Sequence, residues 1–96
     1  MGLILMYTLT YHPLVLKKDI PKLSIPVQKR IKNVLETRLS INPLMHSKPL
    51  SHDLSGLRST RIGDYRVIFS IKEESKTLDI LGIGHRSWIY QERGSG

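Results

Sequence analysis

Two arginines face each other across a predicted hairpin. The β-prone runs 57–62 and 65–72 flank Gly63-Asp64, and a two-residue loop that opens with glycine is a strong hairpin signal. In that register Arg61 pairs with Arg66 on the less apolar face of the sheet. Like charges in a cross-strand pair destabilise a sheet. The pair therefore indicates either an anion held between the arginines or two solvated side chains that splay apart.

The last predicted strand, residues 77–86, adds groups that suit a nucleotide. Gly82, Gly84 and Arg86 are spaced by two and share one face. Glycine in a strand often marks the close approach of a ligand or of another backbone. If the hairpin arginines lie on this face, they border a floor of the sheet that is bare of side chains. The alternative explanation of the glycines is a bulge or a packing contact. His85 points to the opposite face in an ideal strand, and a bulge would turn it outward.

The composition limits the class of protein. The 96 residues, with 40% hydrophobic and 24% charged, predict a single globular domain over 1–96. Lys and Arg number 15 against 8 Asp and Glu, and this net charge of +7 favours polyanionic partners such as nucleic acid, an acidic protein or an anionic membrane.

Several kinds of site and location are excluded or disfavoured by residue usage. The absence of cysteine excludes disulfides, cysteine-ligated metals and a thiol nucleophile. The four histidines lack metal-ligand spacing, so neither a metal nor another cofactor is expected. No apolar run approaches the roughly 18 residues of a membrane span, and the apolar start is too short for a signal peptide, which favours a cytoplasmic protein.

A strand and two helices precede the hairpin. Residues 7–11 alternate as a strand, and a first helix begins at Pro13 and runs toward Leu23, shortened or kinked by Pro21. A second helix follows, with Ser24 as its cap and Pro26 in its first turn. It carries an apolar stripe of helical period at Val27, Ile31, Val34, Leu35 and Leu39.

The remaining elements complete an α+β fold. Asn42-Pro43 ends the second helix, and a long polar loop, 42–55, leads to the hairpin. The order is β-α-α-β-β-β, with two N-terminal helices packed on one face of an antiparallel-rich four-stranded sheet. By strand alternation the face that meets the helices carries Tyr65, Val67, Phe69 and Ile71.

A set of short motifs resembles the RelE/ParE superfamily of bacterial and archaeal toxins over nearly the whole chain. The motifs are Pro49-Leu50, Leu54-Ser55-Gly56-Leu57, the block from Arg61 to Phe69 with Gly63-Asp64-Tyr65-Arg66 inside it, Ile83-Gly84-His85-Arg86, and Tyr90. The resemblance implies the toxin of a type II toxin–antitoxin system. RelE-like members cut messenger RNA in the ribosomal A site, whereas ParE-like members share the fold and poison DNA gyrase. Both kinds are held inactive by a cognate antitoxin.

The resemblance also implies roles for individual residues. Arg66 matches the arginine that holds the scissile phosphate, and Arg86 matches an arginine proposed as phosphate ligand or general acid. Tyr90 matches a C-terminal tyrosine that stacks on or positions the base. Arg61 matches a further basic residue, and His85 stands where the YoeB and YafQ branches have a C-terminal histidine acting as acid or base.

Two departures from the family pattern leave the general base open. Typical RelE enzymes carry two lysines on the strand where Leu57 and Ser59 stand here, and the YoeB branch has a catalytic glutamate where this chain has Lys48. Lys48, Arg58 and Arg61 are expected to bind RNA phosphates. Trp88 is expected to pack rather than to stack on a base.

The residue types suit RNA cleavage without a metal. That reaction uses the substrate's own 2′-OH as nucleophile and needs a base, cations for the developing phosphorane charge and an acid for the leaving oxygen. Each well-aimed cationic donor is worth about 3–4 kcal/mol, and stacking of a base on an aromatic ring about 1–3 kcal/mol.

Three functions remain open at the level of sequence. The first is a ribosome-dependent messenger RNA endonuclease controlled by an acidic antitoxin, with the ribosome and messenger RNA as its other partners. The second is a non-catalytic gyrase poison, or a decayed toxin that only binds antitoxin. The third is a plain basic RNA- or DNA-binding domain. The lysines of the two helices fit either an ordinary solvated face or docking on ribosomal RNA.

Overall fold

The computed structural model describes residues 6–50 and 56–91. Within them five strands form one sheet in the order β1-β5-β4-β3-β2. The expectations that fall on Leu54-Ser55 and on the two ends of the chain lie outside the described residues. The strands are β1 (Thr8–Tyr11), β2 (Lys48–Pro49), β3 (Leu57–Ile62), β4 (Tyr65–Lys72) and β5 (Thr77–His85).

The predicted α+β class is confirmed, but the predicted count of four strands is wrong. Strand β1 runs parallel to β5, and the other neighbours are antiparallel. The fifth strand, β2, lies inside the segment expected to be a loop, where Lys48 pairs with Ser59. A two-residue strand has no alternating pattern to reveal it, and its Pro49 is tolerated because β2 lies at the edge of the sheet.

Both predicted helices are present. The first consists of a π-helical segment, Val15–Asp19, and a 3₁₀ turn, Ile20–Lys22, so the helix continues through Pro21 in a tighter form where a shortening or kink was predicted. The second spans Ile25–Val34 and continues as the π-helical segment Leu35–Leu39. No helix among residues 6–50 and 56–91 is long and apolar enough to cross a membrane.

The core lies between the two helices and one face of the sheet. The predicted apolar stripe of the second helix is confirmed, because Ile31, Leu35 and Leu39 are buried in the core cluster. Val67 and Phe69 of β4 are fully buried against them. The opposite face of the sheet is therefore left for the candidate site.

The hairpin has the predicted register. Arg61 pairs with Arg66, and Ile62 pairs with Tyr65. Gly63 has φ +61°, the left-handed conformation that the first position of a tight two-residue hairpin loop requires.

A β-bulge sets the faces of β5. Phe69 pairs with Ile80 and Ile68 with Gly82, so Leu81 is an extra residue in β5. Downstream of the bulge, Gly84 pairs with Arg66. The glycine face and the arginine face are therefore the same, which is the condition on which the proposed floor beside the arginines depends.

Candidate functional site

A basic cavity opens on the sheet face that the helices leave uncovered. Its volume is about 460 Å³, within the range of roughly 300–1,000 Å³ found for ligand sites. The lining residues come from the segment before β2, from β2, β3 and β4, and from the turn after β5: Met45, His46, Ser47, Lys48, Ser59, Arg61, Arg66 and Tyr90.

Cross-strand pairing brings the cationic side chains together. Lys48 lies directly opposite Ser59, and Arg61 directly opposite Arg66, and paired residues project to the same face. Ser59 and Arg61 are two positions apart on β3, so all four side chains share that face. Three cations thus border one cavity.

The two arginines are held differently. Arg66 donates from Nη1 to the carbonyl oxygens of Gly63 at 3.0 Å and of Tyr65 at 2.9 Å. Its Nε and Nη2 bond no residue that the structure describes, so they are available to an anion. The Arg61 side chain is exposed and makes no hydrogen bond or ion pair within the described segments. One guanidinium is therefore anchored and the other is free to adjust.

The segment before β2 is tied to β3 by three side-chain hydrogen bonds. The buried Thr60 hydroxyl donates to the His46 carbonyl oxygen at 2.6 Å. Arg58 donates from Nε to Ser47 Oγ at 2.7 Å and from Nη2 to the Ser47 carbonyl oxygen at 3.1 Å. Arg58 pairs with Phe69, on the helix side of the sheet, and does not line the cavity. Its contacts fix the position of the cavity wall.

The turn after β5 folds back across the glycine face. A Cβ on Gly84 would lie 2.4 Å from Cη2 of Trp88, so the indole ring covers this residue, and Lys22 Nζ lies 4.7 Å from the ring centre. The expectation of a floor bare of side chains is wrong for this reason, and the expectation that Trp88 packs is confirmed. The absence of a side chain at Gly84 serves close packing rather than a nucleotide.

Tyr90 enters the cavity by the same turn. Its hydroxyl lies 3.2 Å from Ser59 Oγ and donates to it. Ile89 and Ile68 are both buried although neither belongs to the main core cluster. The turn after β5 thus carries a buried residue, Ile89, directly before Tyr90, and the hydroxyl contact with Ser59 places Tyr90 beside β3.

Besides Arg58, two more of the predicted site residues, His85 and Arg86, lie outside the cavity. His85 pairs with Tyr65, the ring centres 5.5 Å apart in an edge-to-face contact, and its Nδ1 lies 2.8 Å from Ser87 Oγ. Arg86 Nε lies 3.6 Å from Asp64 Oδ1 at the hairpin turn. The structure thus brings Arg61, Arg66, Lys48 and Tyr90 together, without Arg58, His85 and Arg86.

His46 lines the cavity, and sequence reasoning missed it. Its only signal is its place two residues before Lys48, in the segment where the related pattern has a catalytic group. Nothing local in the sequence shows that Thr60 and Arg58 fold this segment against β3.

A carboxylate with a shifted pKa stabilises the opposite end of the sheet. Hydrogen bonds from Lys72 and Thr10 hold the pKa of Asp79 below its usual value. The Lys72 ammonium lies 2.8 Å from the Asp79 carboxylate. Because these residues belong to β1, β4 and β5, the cluster ties the parallel edge strand to the rest of the sheet.

An apolar groove of about 260 Å³ runs between the two helices. Leu16 lines it with more than half of its surface exposed, whereas the neighbouring Leu14 does not line it. The other lining residues are Tyr11, Ile20, Leu23, Gln28, Ile31, Lys32, Leu35 and Ile83.

Known proteins share this sequence pattern. A family model described as the ParE toxin of a type II toxin–antitoxin system, parDE, matches residues 11–90. The chain is 35% identical over 75 residues to the toxin RelG of Mycobacterium tuberculosis, a match that spans 78% of this chain and 86% of the relative.

Solved structures share the fold. A chain of the toxin–antitoxin complex RelBE2 from Mycobacterium tuberculosis superposes with a TM-score of 0.81 and 30% identity, over 91% of this chain and 99% of that one. A chain of the archaeal RelE–RelB complex from Pyrococcus horikoshii gives a TM-score of 0.68 and 26% identity, over 86% and 98%.

Proposed function

The chain belongs to the RelE/ParE superfamily of type II toxin–antitoxin toxins, and from that premise we propose that it is an endonuclease that cuts messenger RNA in the ribosomal A site. The observation that carries this proposal is the cavity in which Lys48, Arg61 and Arg66 meet Tyr90. Cations for a phosphate and an aromatic ring for a base are what recognition of single-stranded RNA requires.

The proposed reaction is attack of the ribose 2′-oxygen on the adjacent phosphorus, without a metal. Arg66 holds the scissile phosphate through Nε and Nη2, the two nitrogens that its backbone bonds leave available. Arg61 and Lys48 contribute further positive charge against the developing phosphorane, at about 3–4 kcal/mol for each well-aimed donor. Tyr90 stacks on a base of the codon for about 1–3 kcal/mol.

Arg86 binds the RNA phosphate once its ion pair with Asp64 is broken. The partners Arg86 and Asp64 are 60% and 68% exposed and 3.6 Å apart, and exposed pairs of this kind contribute about 0–1 kcal/mol. A phosphate therefore competes readily for this guanidinium. His85 is a weaker candidate than Arg86 for a role in the reaction, because its ring already contacts Tyr65 and Ser87.

The partner that holds the toxin inactive is an acidic cognate antitoxin. The net charge of +7 favours such a partner, and the similar chain from Mycobacterium tuberculosis is solved in a toxin–antitoxin complex. An apolar segment of the antitoxin lies in the groove between the helices, where Leu16 is 54% exposed. Helix-in-groove docking of this kind needs an apolar groove with little charge.

The antitoxin proposal is tested by charge placed in the groove. Leu16→Glu weakens binding of the purified antitoxin at least tenfold in calorimetry, because the carboxylate must be desolvated. Leu14→Glu is the matched control: it makes the same change at the residue that caps the start of the same helix, outside the groove, and it leaves affinity within twofold. Equal affinities for the two variants would exclude this groove as the docking site.

A second candidate function is favoured by the ParE description of the matching family model. In it the chain is a non-catalytic gyrase poison, or a decayed toxin that only binds antitoxin. This non-catalytic function fits the presence of Leu57 and Ser59 at the places where typical RelE enzymes carry lysines.

Expression in cells separates the two functions. An endonuclease arrests growth while messenger RNA is cleaved and supercoiling persists, and Arg66→Ala abolishes the arrest. Arg38→Ala, an exposed arginine on the second helix outside the cavity, is the control and keeps full toxicity. Arrest with intact message and relaxed DNA supports the gyrase function instead.

A further inference from the structure

We propose that His46 is the general base of the cleavage reaction, an assignment that rests on the proposed endonuclease function. The residue stands outside the motifs that carry the family resemblance. His46 lines the cavity, and the chemistry of the groups around it leaves it as the one proton acceptor there.

The backbone of His46 is fixed on both sides. Its N–H donates to the Asn42 carbonyl oxygen at 3.3 Å, and its carbonyl oxygen accepts from the Thr60 hydroxyl at 2.6 Å. Thr60 is 3% exposed, so this second bond is shielded from water. Arg58 fixes the next residue, Ser47, through two further bonds. The segment is rigid where it presents His46 to the cavity.

The imidazole is left available by these contacts. His46 is half-buried and lines the cavity, and its ring makes no hydrogen bond or ion pair with any residue in 6–50 or 56–91. An unbonded ring at the wall of a cavity can approach a ligand without losing a protein contact.

Elimination among the lining groups selects His46 as the proton acceptor. Lys48, Arg61 and Arg66 are cations at neutral pH and can only donate. The Tyr90 hydroxyl donates to Ser59 Oγ, and hydroxyl groups are weak bases.

The other lining groups are no better as bases, and the hydroxyl of Ser59 already accepts from Tyr90. Ser47 Oγ already accepts from Arg58, and the thioether of Met45 is a weak acceptor. Imidazole is the one side chain that ordinarily holds an open lone pair and exchanges protons near neutral pH.

The proton of the ribose 2′-OH passes to a ring nitrogen of His46, and the 2′-oxygen forms a bond to phosphorus. The bond from phosphorus to the 5′-oxygen breaks, and that oxygen takes a proton from Lys48. The products are a 2′,3′-cyclic phosphate and a 5′-hydroxyl end, and both side chains recover their protonation state from water.

The experiment measures single-turnover cleavage of a defined messenger RNA on programmed ribosomes, with toxin in excess, across a range of pH. His46→Gln keeps a polar side chain but removes the base. It lowers the rate by about 10²–10⁴-fold and leaves co-sedimentation with ribosomes unchanged. The wild-type rate rises with pH on the acid side of the profile, because a protonated base cannot accept the 2′-OH proton, and the variant loses this rise.

Two further variants sharpen the test. His12→Gln is the matched control, because His12 is exposed at the start of the first helix and bonds the Leu14 N–H away from the cavity. It keeps the wild-type rate and pH profile. His46→Ala recovers cleavage when free imidazole is added, a result that a purely structural role of His46 would not give.

The outcomes are distinguishable. A wild-type pH profile in His46→Gln, or no rescue of His46→Ala by imidazole, overturns the assignment while the endonuclease function stands. An equal loss in His12→Gln overturns it too, by tracing the effect to general destabilisation. No cleavage by the wild-type protein overturns the endonuclease function itself and the assignment with it. If His46→Gln fails to fold, the rescue of His46→Ala alone decides.

Discussion

A methyl group added at Gly84 tests the packing of the C-terminal turn. In Gly84→Ala the new Cβ would lie 2.4 Å from Cη2 and 2.6 Å from Cζ2 of Trp88. Carbon atoms prefer separations of about 3.5–4.0 Å, so the indole ring must move by about 1 Å. Overpacking of this kind costs about 1–3 kcal/mol.

A smaller effect opposes that cost. Gly84 lies in β5 outside the left-handed region of φ, so alanine restricts the unfolded chain without backbone strain. This change is worth about 0.4–1 kcal/mol of stability. The clash outweighs it, and Gly84→Ala is expected to lower the free energy of unfolding by about 1–2 kcal/mol.

A double-mutant cycle isolates the contact. Once Trp88→Ala has removed the three atoms nearest to the new Cβ, Gly84→Ala loses this clash and should stabilise the protein by about 0.4–1 kcal/mol. The free energy of unfolding is measured in urea by circular dichroism for all four proteins. Fluorescence of Trp88, the only tryptophan in the sequence, reports the ring displacement in the single variant. An equal cost of Gly84→Ala in both backgrounds would refute the packing described here.

Two further predictions concern other parts of the fold. Thr60→Val keeps the side-chain shape but leaves the His46 carbonyl oxygen without its donor, so urea titration should show a loss of about 1–3 kcal/mol, whereas Thr60→Ser retains the hydroxyl and loses less. Hydrogen bonds from Lys72 and Thr10 lower the pKa of Asp79, so its stabilising contribution is present above the usual value of 3.8 and is lost as the pH falls through the lowered folded-state pKa. Asp79→Asn should therefore flatten the acid limb of the plot of unfolding free energy against pH. An unchanged limb would show that the contacts of Asp79 with Lys72 and Thr10 do not stabilise the fold.

Local sequence signals were enough for most of the fold. The turn residues Gly63-Asp64 fixed the pairing of Arg61 with Arg66, because a two-residue loop leaves only one register. The helical period of the stripe around Ile31 and Leu35 placed the second helix on the core.

Long-range contacts explain what sequence reasoning did not find. Strand β2 exists because Lys48 and Pro49 meet β3, and two residues carry no period of their own. The covering of Gly84 depends on a turn that brings Trp88 back over the sheet.

The candidate site was predicted in part for the same reason. Arg61, Arg66, Lys48 and Tyr90 do line one cavity. The spacing of residues along a strand says which face a side chain shares, but not which partner it bonds. Arg58 bonds Ser47, and the ring of His85 lies against Tyr65.

The most direct test of the endonuclease function is primer extension on a defined messenger RNA, with and without programmed ribosomes. The wild-type protein is compared with Arg66→Ala, with urea unfolding to show that the variant remains folded. The proposal predicts cuts within codons that require both the ribosome and Arg66. Intact message beside active growth arrest, or cuts that persist in folded Arg66→Ala, would contradict it.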